Sequence, residues 1–319
     1  MSKTSKTTPT SGIKLVFFGN ERIATSVFTS CPTLQKLIDA GHEIAAVVTQ
    51  QHETGASRKQ RKLEIADLAA RHEIPLLTPE RPSDILDELQ AMRADIGVLV
   101  AYGKIIPQEI IDIFPGGIVN IHPSLLPRHR GSTPIESTIL AGEQKTGVSL
   151  MQLEKRMDAG NVYAYSEVEL LGNESKQALA SELLELGSEM LVTLIPRIVS
   201  GEIVSRPQDE ADATYDALLT KKDSEIDLSK SAIRLEREIR AYLGWPGSRT
   251  IIAGKEVAII AAHVSKNRLE NVDKKSIFVA NKQLCLQTAD GILVIDELKP
   301  AGKNTMPTHA FLAGYGTNI

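Results

Sequence analysis

The chain has 319 residues, of which 42% are apolar and 24% charged, which excludes a disordered or fibrous protein and corresponds to about two globular domains. No apolar run approaches the roughly 20 residues of a membrane-spanning helix, and none of signal-peptide length follows the N-terminus, so we expect a cytoplasmic protein that does not contact membranes. The net charge of −4 divides into −9 for residues 1–228 and +5 for residues 229–319, and a polyanion partner or a chance distribution would explain this equally well.

The first part of the chain alternates between strand and helix patterns. Residues 1–12 are polar, and we expect them to form a disordered arm. The apolar run from Ile13 to Phe18 then predicts a buried strand. Further strands are predicted at residues 43–49, 96–101, 117–121 and 147–153, and helices at residues 32–40, 63–72, 83–92, 135–141 and 176–200. This alternation predicts an α/β domain with a parallel sheet at residues 13–200.

A different pattern begins after residue 200. Residues 201–216 mix proline with acidic and small residues and predict a linker. An amphipathic helix is predicted at residues 231–243. Five short strands separated by turn residues follow, at residues 249–252, 256–264, 277–280, 283–288 and 292–298. We therefore expect residues 217–319 to form a small β-barrel of the oligonucleotide/oligosaccharide-binding (OB) type.

Two polar residues share one face of the strand predicted at residues 117–121 and its continuation. Side chains alternate along a strand, so Asn120 and His122 point to the same side. Pro123 ends the strand, which places His122 at the carboxyl end, where open α/β sheets bind ligands. A carboxamide beside an imidazole suits acyl-type transfer, with an oxyanion donor and a proton carrier. A purely structural role, in which both side chains satisfy loop backbone groups, also fits this pair.

A carboxylate is predicted near the same sheet edge. Asp158 lies between Met157 and Gly160, in the loop that follows the strand predicted at residues 147–153. There it would orient His122 and favour the protonated imidazole. An ordinary Asp-Ala-Gly turn is the alternative. The Asn120–His122 pair makes the functional interpretation the better one.

Metal and dinucleotide sites are not indicated by the sequence. Cys31 and Cys285 lie far apart, and His122 and His129 have no ligand pattern around them, so we expect no metal ion. Gly19 is not part of a G-x-G-x-x-G motif. A basic cluster follows the second predicted strand, where either a solvated surface or a phosphate contact would account for it. This cluster consists of Arg58, Lys59, Arg61 and Lys62.

The stretch from Asn120 to Gly131, Asn-Ile-His-Pro-Ser-Leu-Leu-Pro-Arg-His-Arg-Gly, resembles the signature of folate-dependent formyltransferases, and Asp158 completes their Asn, His, Asp set. Three later segments resemble the methionyl-tRNA formyltransferases of that family. They are Leu219–Asp227, Ile239–Gly247 and Leu298–Lys303. The resemblance runs from about Ile13 to the C-terminus.

This resemblance implies a Rossmann-like parallel sheet domain with the N10-formyltetrahydrofolate site, followed by an OB-like barrel that binds tRNA. It implies transfer of the formyl group of 10-formyltetrahydrofolate, a co-substrate, to initiator methionyl-tRNA for translation initiation, by a protein that we expect to be a monomer. Asn120, His122 and Asp158 would be catalytic. The folate site would be lined by two strand-end segments, Val100, Ala101, Tyr102, Gly103 and Ser124, Leu125, Leu126, Pro127. The basic cluster and the barrel would contact tRNA phosphates.

Two alternatives stay open. A sugar-nucleotide formyltransferase would use the same first domain but would not explain the basic C-terminal part. A non-catalytic tRNA-binding module would explain that part but not the intact Asn, His, Asp set. The chain also departs from the usual family loops, with Gly19-Asn20-Glu21 after the first strand, Gln50-Gln51-His52 and Ala56-Ser57-Arg58-Lys59 after the second, and Asn161 after the Asp-x-Gly turn.

Overall fold

The computed structural model describes residues 12–50, 63–265 and 277–316, which form two β-sheets. In the described part of the chain, seven strands build the first sheet. They are β1 (Lys14–Gly19), β2 (Glu43–Val48), β3 (Leu76–Leu77), β4 (Ile96–Val100), β5 (Ile118–His122), β6 (Lys145–Gln152) and β7 (Val162–Glu169). Their order in space is β3-β2-β1-β4-β5-β6-β7. The first five strands run parallel and give the Rossmann-like arrangement that the sequence predicts.

The last two strands of this sheet differ from the expectation of a parallel sheet. Strand β6 pairs antiparallel with β5, and β7 pairs antiparallel with β6. The helix between β5 and β6 suggested another parallel crossover, but helix length does not fix the direction in which a chain re-enters a sheet. Strand β7 was not predicted, because it is an edge strand whose side chains are mostly half-buried or exposed. The sheet is therefore mixed.

Among the described residues, six α-helices accompany this sheet. They are α1 (Pro32–Asp39), α2 (Glu64–Arg71), α3 (Leu86–Met92), α4 (Gln108–Ile111), α5 (Pro134–Ala141) and α6 (Lys176–Val199). A 3₁₀ turn at Pro82–Ile85 precedes α3. The buried side chains of α1 and α6 pack on one face of the sheet. A second apolar cluster, which includes Phe18, Tyr102 and Phe114, fills the other face. No helix in the described ranges is both long enough and apolar enough to cross a bilayer.

The second sheet is antiparallel and belongs to the C-terminal part of the chain. Its strands are β8 (Ser248–Ile252), β9 (Lys255–Val264), β10 (Ile277–Ala280), β11 (Gln283–Gln287), β12 (Ile292–Pro300) and β13 (Met306–Pro307). The order is β10-β11-β12-β9-β8, with β13 on β12. Helices α7 (Ala232–Tyr242) and α8 (Thr308–Tyr315) pack against it. This half-barrel confirms the small antiparallel barrel predicted from the sequence, in which β13 and α8 were not foreseen.

The two sheets are joined by a segment that we call the connector, residues 201–216. Arg206 exchanges two backbone hydrogen bonds of 2.8 Å with Val162 at the start of β7, so the predicted linker lies against the first sheet. Helix α7 also contacts the first part of the chain, because Arg234 and Arg237 donate hydrogen bonds to the carbonyl oxygens of Leu140 and Ala141 at the end of α5. The domain limits at residues 12, 200 and 216 stay predictions, and residues 1–11 of the arm lie outside the described part.

Helix α1 begins on a carboxylate that comes from another segment. The preceding residue, Cys31, makes no side-chain cap. Instead, buried Glu21 accepts hydrogen bonds from the backbone N–H groups of Thr33 and Leu34, at 2.9 and 2.8 Å. The Gly19-Asn20-Glu21 loop, where this chain departs from the usual family sequence, therefore supplies the cap.

Glu21 predicts a pH dependence of stability. Burial raises the pKa of Glu21 from 4.5 to about 7, although the two backbone N–H groups favour the carboxylate. Because the folded-state pKa is the higher one, the contribution of Glu21 to stability is complete below the unfolded-state pKa and is lost as the pH rises through about 7. We expect the wild type to lose about 2 kcal/mol of unfolding free energy more than Glu21→Gln between about pH 5 and about pH 8.5, measured by urea unfolding. Parallel pH profiles for the two proteins would contradict this.

Candidate active site

The site is built on the carboxyl end of β5. Asn120 and His122 lie on the same face of this strand and are 6% and 4% exposed. Strand β5 ends at His122, as Pro123 predicted. Asn120 makes no side-chain hydrogen bond within the described residues, so its carboxamide is available to a ligand.

The imidazole of His122 lies between a carbonyl and a carboxylate. Its Nε2 atom is 2.9 Å from the backbone carbonyl oxygen of His129. Because a carbonyl oxygen only accepts, this contact assigns the proton to Nε2. The other nitrogen, Nδ1, lies 3.8 Å from Oδ1 of Asp158. This distance exceeds hydrogen-bond length but allows electrostatic attraction between the carboxylate and a protonated imidazole. Nδ1 is therefore the nitrogen that is free to take up a proton.

Asp158 is held with one oxygen toward His122. Its Oδ2 atom accepts a 2.8 Å hydrogen bond from the backbone N–H of Gly131, which leaves Oδ1 facing the imidazole. The backbone of Asp158 adopts a left-handed conformation, with φ of 48°. Such a conformation is uncommon in residues other than glycine and requires support from neighbouring groups. The structure thus brings the two predicted loops together around His122.

This arrangement is suited to moving one proton beside a developing negative charge. Nδ1 of His122 can accept a proton, and the Asp158 carboxylate then stabilises the imidazolium. The side-chain amide of Asn120 can donate to an oxyanion on the same face of β5. Among the described residues, no group of three or more His, Cys, Asp or Glu side chains could hold a metal ion, and the absence of a metal stays a prediction.

The two predicted folate segments follow neighbouring strands. Strands β4 and β5 pair side by side, so the residues after Val100 and after His122 emerge at the same sheet edge. The side chains of Val100 and Tyr102 belong to the cores, and burial raises the pKa of the Tyr102 hydroxyl to about 12. Their backbone carbonyl oxygens accept hydrogen bonds from the N–H of Glu21 and from Nε2 of Gln50, respectively.

The remaining folate candidates divide by exposure. Ser124 is buried and donates its hydroxyl hydrogen to the carbonyl oxygen of Arg128, and Leu126 packs on Met151 and Val162. Four candidates keep accessible surface, namely Ala101, Gly103, Leu125 and Pro127. These offer backbone polar groups and apolar surface, which suit the polar edge and flat face of a pteridine ring. A groove of about 620 Å³ lined by Gly117 and Arg156 lies at the opposite end of β5 and is not this site.

The basic cluster at residues 58–62 lies outside the described residues, and its contact with tRNA stays a prediction. The structure adds functional candidates that the sequence did not single out. His129 and Arg130 stand inside the signature stretch, and Gln208 lies in the connector, and all three contact the loops around His122. The sequence signal for His129 and Arg130 was their place in a run of three basic residues, Arg128-His129-Arg130, within that signature.

The family models agree with this division of the chain. Residues 14–195 match the formyl transferase model, and residues 218–316 match the model of the formyl transferase C-terminal domain. A protein named methionyl-tRNA formyltransferase from Chloroflexus aurantiacus is 38% identical over 95% of this chain and 97% of its own length. The chain belongs to the methionyl-tRNA formyltransferase family. It is thus a member of a family of formyl-transferring enzymes.

Solved structures of two further proteins share this fold. HypX from Aquifex aeolicus, in complex with tetrahydrofolic acid, superposes with a TM-score of 0.66 at 18% identity, over 96% of this chain and 48% of that longer one. The N-formyltransferase from Helicobacter canadensis, in complex with folinic acid and dTDP-3-aminofucose, gives a TM-score of 0.65 at 18% identity, over 89% of this chain and 97% of that one. At this identity the likeness concerns the fold.

Proposed function

We propose that this member of the methionyl-tRNA formyltransferase family transfers the formyl group of 10-formyltetrahydrofolate to the α-amino group of initiator methionyl-tRNA. The observation that carries the proposal is the geometry of His122, which has a proton assigned to Nε2 by the His129 carbonyl and a free Nδ1 beside Asp158. This geometry stands in a chain that matches methionyl-tRNA formyltransferases along both of its domains.

Each step of the transfer has a residue suited to it. The neutral amine attacks the formyl carbon, and the new C–N bond places negative charge on the formyl oxygen, which the Asn120 amide stabilises. Nδ1 of His122 accepts the proton that the amine nitrogen loses, and the Asp158 carboxylate stabilises the resulting imidazolium. His122 then returns this proton to the departing N10 nitrogen as the C–N10 bond breaks. Product and tetrahydrofolate leave with all protons accounted for.

The donor would lie at the edge shared by β4 and β5. Accessible Ala101 and Gly103 follow β4, and Leu125 and Pro127 follow the adjacent strand β5, which carries Asn120 and His122. A folate-binding neighbour of the same fold supports a folate co-substrate. The formyl carbon would then stand near both His122 and Asn120.

The acceptor is the part of the proposal that needs a direct test. An amino-sugar nucleotide is the second candidate, because the Helicobacter canadensis protein of the same fold was solved with dTDP-3-aminofucose. The net charge of +5 over residues 229–319 favours an RNA acceptor. We expect the purified protein to formylate methionyl-tRNA and not dTDP-3-aminofucose when both are offered in parallel. Formylation of the sugar alone would favour the second candidate, and formylation of neither would favour a non-catalytic tRNA-binding role.

The basic cluster Arg58, Lys59, Arg61 and Lys62 should contribute phosphate contacts. Replacing all four by Gln is expected to weaken tRNA binding and to reduce the slope of log Kd against log salt by up to about one contact per charge. Folate binding should not change. A control with half the change of charge is Arg71→Gln with Arg93→Gln, since Arg71 is the last residue of α2 and Arg93 follows α3, and both are exposed at the sheet edge opposite the active site. An equal effect per charge of both sets on tRNA binding and on its salt slope would assign the cluster to general surface charge.

Cytoplasmic location and a monomeric state also stay predictions.

A further inference from the structure

Both groups that face the ring nitrogens of His122 are held by the connector. Asp158 faces Nδ1 and the carbonyl of His129 faces Nε2, and each lies in a different loop of the first domain. The connector crosses both loops between Arg206 and Asp216 before the chain enters the C-terminal domain. Its polar contacts with these loops converge on Arg130 and His129, which are both buried.

Gln208 holds the Asp158 loop. Its Nε2 donates to the carbonyl oxygens of Asp158 and Gly160, at 2.8 and 2.7 Å. Its Oε1 accepts from Nη2 and Nε of Arg130, at 2.8 and 3.1 Å. One carboxamide thus uses both donors and its acceptor to join the loop of Asp158 to the segment that carries His129 and Gly131. The left-handed backbone of Asp158 is the conformation that needs such support.

Arg130 fixes the position of Gln208 in turn. Its side chain is fully buried, and its guanidinium donates to Glu210 and to the hydroxyl of Tyr215, in addition to Gln208. Hydrogen bonds from Arg130, and then from Arg156, lower the pKa of Glu210 to about 2. Gln208, Glu210 and Tyr215 all belong to the connector. A buried planar guanidinium therefore sets the register between the connector and the signature loop.

His129 is clamped on the other side of His122. Its backbone N–H donates to Oγ1 of Thr214 at 2.8 Å. Its Nδ1 lies 3.1 Å from Oδ1 of Asp216, and its Nε2 lies 3.2 Å from Oε1 of Glu143. Glu143, which follows α5, also pairs with Arg128. Both ring nitrogens of His129 therefore lie near carboxylates, although only Nδ1 has a hydrogen-bond partner among the described residues.

The clamp also supports an unusual backbone. Burial alone would lower the pKa of His129, but the contacts with Asp216 and Glu143 raise it above its ordinary value. His129 has φ of 57°, a left-handed conformation that is costly for this residue type. Loss of the Asp216 contact would allow this backbone to relax and would move the carbonyl oxygen that His122 uses.

We propose that Gln208 and Asp216 are positioning residues for His122, which hold from the connector the two groups that face its ring nitrogens. Gln208 sets the distance between Asp158 and Nδ1. Asp216 sets the direction of the His129 carbonyl and thereby keeps the proton of His122 on Nε2. The inference rests on the proposed formyl transfer for its kinetic readout, but the protonation of His122 is measured independently of it.

The first test uses full-length Gln208→Glu, which keeps the size of the side chain and an acceptor for Arg130 but removes both N–H donors. We expect kcat for formyl transfer to fall roughly tenfold to a hundredfold, with KM for methionyl-tRNA and for the formyl donor within about twofold of the wild type. Asp216→Ala should show the same loss of kcat. Asp216→Asn, which keeps an oxygen for Nδ1–H of His129, should recover most of it.

The matched control is Asp212→Asn, which removes one negative charge from the connector, as the two Asp216 variants do, but at an exposed residue. It should retain wild-type kcat and the wild-type pH profile, whereas the pH profile of Gln208→Glu should shift because Asp158 no longer faces His122 at a fixed distance. Folded Gln208→Glu and Asp216→Ala proteins with wild-type kcat and pH profile would overturn the proposal. So would an equal loss of kcat in Asp212→Asn.

A second measurement tests the proposal if a variant is unstable or if no formyl transfer is detected in the wild type. Nitrogen chemical shifts of the His122 ring, assigned by their absence in His122→Ala, report which nitrogen carries the proton at neutral pH. We expect the Nε2–H form in the wild type and in Asp216→Asn, which keeps an oxygen for the His129 ring, and a mixture of forms in Asp216→Ala. An unchanged Nε2–H form in Asp216→Ala would overturn the role of Asp216. Absence of formyl transfer in the wild type, in contrast, would count against the proposed function alone.

Discussion

Replacement of His122 by Ala is expected to reduce kcat for formyl transfer by roughly a hundredfold or more, because the proton carrier of both half-steps is removed. Asn120→Ala should reduce kcat by a comparable factor, because it removes the donor that stabilises the oxyanion. Asp158→Asn keeps the shape of the side chain and removes the charge that stabilises the imidazolium, so it tests electrostatics rather than packing. The measurement is the initial rate of N-formylmethionyl-tRNA formation with saturating donor and acceptor.

The matched control for the first variant is His72→Ala, since His72 is exposed and follows α2 at the opposite sheet edge. It should keep the wild-type rate. Circular dichroism and thermal unfolding must show that each variant is folded. A folded His122→Ala, Asn120→Ala or Asp158→Asn protein with near wild-type turnover would remove that residue from the catalytic set.

Removal of the C-terminal domain is expected to have the second largest effect. A fragment that ends at Leu219, which packs on the core of the first sheet, keeps every connector contact with the signature loop. It should still bind folate and hydrolyse the formyl donor slowly without tRNA. Its affinity for methionyl-tRNA should fall steeply, because phosphate contacts supply a large share of nucleic-acid binding. Binding is measured at fixed salt by filter retention or fluorescence.

The matched control is a shorter fragment that ends at Gln208. It lacks Glu210, Thr214, Tyr215 and Asp216, so Arg130 and His129 lose most of their connector partners. We expect this fragment to bind folate but to hydrolyse the donor more slowly than the longer one. Both fragments expose apolar and polar surface where α5 met α7, so solubility and folding are checked first. Full-length affinity for tRNA in the longer fragment would assign the half-barrel another role.

Much of the fold was predictable because its central strands are buried on both faces. Strands β1 and β4 are near-continuous apolar runs, and this pattern can be recognised in the sequence without knowing which strands pair with them. Strand β7 was missed because its sequence lacks such a run, and helix α8 was missed because it lies close to the end of the chain. The direction of β6 depends on how the chain crosses the sheet edge, which periodicity does not encode.

The proximity of Asn120, His122 and Asp158 was likewise predictable, whereas the contacts that support these residues were not. Asn120 and His122 are two residues apart on one strand, so a local rule places them together. Gln208 meets Asp158 across 50 positions of sequence, and its Nε2 hydrogen bond is to a backbone oxygen that any residue would present. Such polar, long-range contacts have no periodic pattern. The same reason explains why a segment with the composition of a linker holds the active-site loops.

The most direct test of the central claim is a single turnover with 10-formyltetrahydrofolate that carries an isotopic label in its formyl group, mixed with initiator methionyl-tRNA. The account predicts that the label appears on the methionine α-amino nitrogen, with one tetrahydrofolate released per formyl group, and that His122→Ala binds the donor but transfers the label at least about a hundredfold more slowly. Release of the label as formate with unmodified methionyl-tRNA, or equally fast transfer by His122→Ala, would contradict it.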